Sequence, residues 1–156
     1  MSIFAVAPPP ELSAEHQAVQ QAIKCALADP SALAVVRLPP GAGKSTLARD
    51  DAVQLLDGHL HRVLWAVRET RSVNSLGREA LAEFERLTAG TPIRCDLVLG
   101  RDAASSTASH RRNLGWPTEP CIKVISHAHL PLMMDGGLKT SALSAADLLI
   151  IDEDPA

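Results

Sequence analysis

The stretch LPPGAGKST (38–46), directly after the apolar run ALAVVRL, gathers residue types that can hold a polyanion. A triphosphate needs several donors at short range and a cation to offset its charge. Backbone N–H groups at a helix N-terminus supply donors, and glycines let the main chain wrap closely. Here Pro40, Gly41, Ala42 and Gly43 would form the wrap, and Lys44 would reach the β- and γ-phosphates. The Ser45 hydroxyl would ligate Mg²⁺, and Thr46 would approach the α-phosphate from the first helical turn. The full pattern GxxxxGK[ST] asks for glycine at position 38, where this chain has Leu38, while PGAGKS is intact. By itself the stretch also suits a capped helix that follows a glycine turn.

A second group lies at the other end, in ADLLIIDEDPA (146–156). An apolar strand that ends in Asp152 delivers a carboxylate to the strand's carboxyl end, the side on which open α/β sheets bind ligands. Asp152 would hold Mg²⁺, usually through water, and Glu153 would orient and polarise an attacking water. An acidic strand end alone is commonly just a solvated turn. Two such motifs together, each behind a buried-strand signal and 108 residues apart (152 − 44), point to a nucleotide site.

The elements that must position these groups alternate along the chain. Ser13 is placed to cap a helix over about 14–28, with Ala18, Val19, Ala22, Ile23, Ala26 and Leu27 at helical spacing and Asp29-Pro30 as its stop. ALAVVRL (32–38) reads as a strand buried on both faces. A helix beginning inside GAGKST runs to about Asp57, with Gly58 as its stop. RVLWAV (62–67) is the next strand, and residues 72–89 form an amphipathic helix closed by Gly90. IRCDLVL (93–99) carries polar Arg94 and Asp96 and belongs near a sheet edge. Residues 100–120 lack periodicity and form a long polar loop, made basic by Arg101, Arg111 and Arg112 with His110. CIKVIS (121–126) and DLLIID (147–152) are further strands, separated by a short helical segment near 127–134 and a Gly136-Gly137 turn. This alternation predicts an α/β fold with a mostly parallel sheet flanked by helices.

Bulk properties narrow the function classes. The 156 residues suit one ordinary domain, and 46% hydrophobic content allows a real core. No apolar run approaches the roughly 18 residues that cross a bilayer, so no membrane partner is expected. Cys25, Cys95 and Cys121 are scattered and lack CxxC spacing, which suggests reduced thiols in a cytoplasmic protein. A net charge of −3 disfavours whole-surface attraction to nucleic acid while leaving room for a local basic groove. With two Trp, two Phe and no Tyr, a base-stacking platform is not expected. The His127/His129 spacing does not put both rings on one helical face, which argues against a metal pair.

Leu12, His16-Gln17, LPPGAGKST, VLWAVRETRSVNSLGREA, IKVISHAHL and LLIIDED follow one another in the order of helicase motifs Q, I, Ia, Ib and II. From about Leu12 to Asp154 the chain resembles the first RecA-like P-loop ATPase domain of a superfamily 2 (DEAD/DEAH-like) helicase. That resemblance implies a lead-in over 1–12, a partial RecA-like domain over 13–156, and ATP with Mg²⁺ as cofactors. It implies that Gln17 reads the adenine edge, although an exposed helical glutamine would look the same. Arg68 and Arg71, in a turn where VRET (67–70) replaces the family's usual proline–threonine pair, would position a nucleic-acid backbone, or belong to a solvated helix cap. Ser126 would bond a backbone phosphate, or cap a helix start. DNA or RNA is then the expected partner. A second RecA-like domain would complete the ATP site with its arginines. The chain stops three residues after Glu153, so the resemblance makes it a domain truncated after motif II, with little activity in isolation. Two other readings stay open. One is a different P-loop motor, terminase-like or of superfamily 1; the other is a nucleotide-binding module without turnover.

Overall fold

A computed structural model of the chain describes residues 13–29, 43–58, 60–68, 70, 76–98, 115–134 and 143–152. The predicted strand 32–38, the glycine pair at 136–137 and most of the long loop lie outside these residues. The chain divides into two compact units, Met1–Ala48 and Arg49–Ala156.

In the first unit, helix α1 spans Ala14–Ala28. The Ser13 hydroxyl accepts the His16 N–H at 3.1 Å, and the Ser13 carbonyl accepts the Gln17 N–H at 3.0 Å. The first bond satisfies an amide that has no partner within the helix and the second opens the helical ladder, which is why the helix starts here. Val19 and Ile23, four residues apart, are its buried positions. Asp29 ends it in an extended conformation, with its N–H on the Cys25 carbonyl. Helix α2 spans Lys44–Gly58, close to the expected bounds, and runs from the first unit into the second, whose first residue is Arg49.

The second unit is built on a sheet of four described strands: β1 (Arg62–Val67), β2 (Arg94–Leu97), β3 (Cys121–Ser126) and β4 (Leu148–Ile151). Their order is β2-β3-β1-β4, and every pairing is parallel. Apolar residues run almost unbroken through β1 and β3, as central parallel strands require, and both strands are buried nearly throughout. The polar β2 lies at one edge, as its Arg94 and Asp96 suggested. At the other edge, Leu148 of β4 is buried, whereas Leu149 and Ile151 are exposed.

Helix α3 (Leu76–Leu87) packs on β1, β2 and β3, with Phe84 edge-on to Trp65 at 5.2 Å between ring centres. Of the predicted 72–89, residues 72–75 lie outside the described residues, and the helix ends at Leu87, two residues before the expected end. Its C-terminal limit has a local cause: the Thr88 hydroxyl donates to the Phe84 carbonyl at 2.8 Å, and the chain turns through Gly90 at φ +78°. The other face of the sheet buries Leu64, Ala66, Val98, Ile125 and Leu143, with Trp116, Leu130 and Ala146 packed against them.

Helix α4 (His129–Met134) starts two residues later than expected, because His127 and Ala128 form a turn closed by Leu130 N–H on the His127 carbonyl. A 3₁₀ turn, Leu143–Ala145, precedes β4 and was not anticipated. Asp147 fixes the register of β4 on β1. Its carboxylate accepts the His61 and Arg62 N–H groups, each at 3.0 Å, and its own N–H donates to the Arg62 carbonyl. Among the described residues no helix is long and apolar enough to cross a membrane.

Candidate functional site

The phosphate-loop candidate is described from Gly43 onward; Pro40, Gly41 and Ala42 lie outside the described residues. Gly43 has φ +77°, in the left-handed region that side chains disfavour. A Cβ built there would meet nothing within 4 Å, so the requirement for glycine is conformational, and the space beside it is open. The Gly43 carbonyl accepts the Leu47 N–H at 2.9 Å, which makes Gly43 the residue that enters helix α2. Lys44, Ser45 and Thr46 therefore occupy the first turn, where amides have no intrahelical acceptor and the helix dipole favours an anion. Lys44 and Thr46 are exposed and Ser45 is half-buried. Gln17, also in the first unit, is exposed in the first turn of α1.

In the second unit, parallel pairing brings the carboxyl ends of three strands to one edge of the sheet. Val67 is opposite Ser126, and Ala66 is opposite Ile151. Arg68, Ser126, His127 and Asp152 consequently gather there. The Asp152 N–H donates to the Ala66 carbonyl at 2.9 Å, which continues the β1–β4 ladder by one bond and holds the half-buried residue in place. The His127 N–H likewise donates to the Val67 carbonyl at 2.8 Å. Arg68 is exposed, and Thr70 is buried close by in sequence. Arg71 and Glu153 lie outside the described residues.

The histidines of the SHAH segment diverge. His127 Nε2 is 3.3 Å from the Asp152 carbonyl oxygen, whereas His129, which is buried, places Nδ1 3.1 Å from the Ser126 hydroxyl. The Ser126 hydroxyl, expected to meet a phosphate or cap a helix, is thus engaged by a ring three residues on. Sequence reasoning argued against these histidines as a metal pair and did not anticipate either bond. The signal was an imidazole placed immediately after a buried strand.

A second polar cluster sits on β2 and β3, back from this edge. Lys123, buried on the strand opposite Asp96, places Nζ 3.0 Å from that carboxylate and 5.6 Å from the centre of the Trp116 ring. Arg94 Nε is 3.0 Å from the other Asp96 oxygen. Burial acts to raise the Asp96 pKa, but hydrogen bonds from Lys123 and Arg94 outweigh it and hold the carboxyl below its ordinary value. The Cys121 thiol is pushed up to about 12, first by burial and then by the nearby Asp96 charge. Burial also raises Cys95. Neither thiol has the depressed pKa of a nucleophile.

Taken separately, the entry of α2 offers an ammonium, a hydroxyl and first-turn amides, donor types that suit phosphate, and the end of β4 offers a carboxylate, a donor type that suits Mg²⁺. Among the described residues no three His, Cys, Asp or Glu side chains converge as a metal cage. Mg²⁺ asks for less than that, since it is commonly held by one or two carboxylates together with phosphate oxygens and water. Comparison of the chain with models of protein families, with curated proteins and with solved structures finds no match.

Proposed function

We propose that this chain is a RecA-like ATP-binding domain of superfamily 2 helicase type, acting in the cytoplasm, and that it uses ATP hydrolysis to move on or unwind DNA or RNA. The observation that carries this reading is the entry into α2. Gly43 at φ +77° leads straight into a helix whose first residues are Lys44, Ser45 and Thr46. A parallel sheet with Asp152 at the carboxyl end of an apolar strand gives independent support.

In this reading the first-turn amides and Lys44 bind and orient the phosphates, while Pro40, Gly41 and Ala42 complete the wrap. Ser45 and Asp152 would each serve as a ligand of Mg²⁺, which when bound would offset charge on the phosphates. Glu153 accepts a proton from the attacking water as that water bonds to the terminal phosphorus and the bond to the bridging oxygen breaks, so that ADP leaves and inorganic phosphate forms. Gln17 recognises adenine. Arg68, Arg71 and Ser126 face the nucleic-acid backbone, with the Ser126 hydroxyl shared with His129. A second RecA-like domain would supply the arginines that stabilise developing charge, so turnover by this chain alone is slow.

Phosphate release from Mg²⁺-ATP, with and without single-stranded oligonucleotide, tests the assignment. Slow release that Glu153→Gln abolishes while nucleotide binding persists is the expected result. Equal release by both proteins would remove Glu153 from the chemistry, and no release above background by the native chain would leave a nucleotide-binding module.

A further inference from the structure

His127 is bonded to two strands through two different groups. Its main-chain N–H donates to the Val67 carbonyl at the end of β1. Its ring Nε2 reaches the Asp152 carbonyl at the end of β4, at 3.3 Å. β3, which His127 follows, and β4 are not neighbours in the sheet, because β1 lies between them. The ring therefore spans the carboxyl end of β1 and joins two strands that share no ladder bond. Asp152 has its N–H on the Ala66 carbonyl and its C=O on the His127 ring, so both sides of its peptide frame are held.

We propose that His127 is a positioning residue: by bridging β3 to the Asp152 carbonyl across the end of β1, it sets the place from which the Asp152 carboxylate starts. A carbonyl only accepts, so the ring must donate from Nε2, which leaves Nδ1 as the acceptor in the neutral imidazole. The divergent arrangement of the two rings fits this role. His129 is committed to Ser126, and His127 alone turns towards β4. The value of the bridge for metal holding rests on the nucleotide reading given above; the bridge itself does not.

The test uses the full chain as the native protein, His127→Ala and His127→Gln, in which the glutamine amide retains a donor. In the native protein, long-range ¹⁵N–¹H correlation of the ring should show the Nε2–H tautomer. An Nδ1–H tautomer would overturn the proposal without any variant. Amide exchange at Asp152 should quicken about 2- to 10-fold in His127→Ala, the range for one lost hydrogen bond, and return towards native in His127→Gln. Exchange in β2 should stay unchanged. Unchanged exchange at Asp152 in His127→Ala, or equal quickening in both variants and in β2, would overturn it.

Magnesium-dependent binding of a fluorescent ATP analogue should weaken in His127→Ala and recover in His127→Gln. If exchange behaves as expected but the native chain binds no nucleotide, the bridge stands and the ATP reading falls.

Discussion

Lys123 sits in an otherwise apolar strand, 1% exposed, and Asp96 is its partner on the neighbouring strand. Removing one member of a buried pair leaves the other charged and without compensation, so the cost exceeds that of a surface ion pair. Asp96→Ala should lower unfolding free energy by about 3 kcal/mol, measured by urea titration. The same carboxyl predicts an acid response. Its folded pKa lies below the ordinary 3.8, so its contribution is fully present above that value and is lost as pH falls through the lower folded one. The native protein should therefore lose stability more steeply than Asp96→Asn in strong acid; identical pH profiles would contradict this account. In the sequence Asp96 was legible only as an edge-strand polar residue. Its bond to Lys123 depends on the pairing register of β2 with β3, which no local pattern encodes.

At the scale of elements, the strongest local signals were the most faithful. α1 spans Ala14–Ala28 as expected because Ser13 supplies the first-turn acceptor and Asp29-Pro30 cannot continue the helix. α4 began late because His127 is held by β1, a contact distant in sequence. The 3₁₀ turn at Leu143–Ala145 left no periodic trace, being three residues long. Gly43 was read as shaping a phosphate wrap; its φ of +77° shows the left-handed conformation that glycine adopts most readily. Gly43→Ala meets no steric obstacle beyond its own backbone, so its cost should be about 1 kcal/mol, the penalty of a left-handed alanine. Thermal unfolding should show that small loss while the ATP analogue binds more weakly. Unaltered stability and binding would mean that the left-handed turn is dispensable.

For the whole molecule, the class was legible and the order of strands was not. Alternating apolar runs and amphipathic segments predicted a parallel α/β sheet, and four parallel strands are described. Nothing in the sequence said that β1 would lie between β3 and β4, yet that order puts Arg68, Ser126, His127 and Asp152 at one sheet edge. Of the candidate site, residue types and the helix start were legible, because glycine, lysine and serine act through local backbone geometry. The Ser126–His129 and His127–Asp152 bonds were not, because they arise from a turn and from strand order.

The central claim is that Lys44 and the turn before it hold a nucleotide. The direct measurement is Mg²⁺-dependent binding of a fluorescent ATP analogue to the native chain and to Lys44→Ala, both checked for folding by circular dichroism. Saturable native binding that weakens at least ~10-fold in Lys44→Ala, the loss of one charge-assisted contact, is the predicted result. Equal affinity in the two folded proteins, or no binding by the folded native chain, would contradict it.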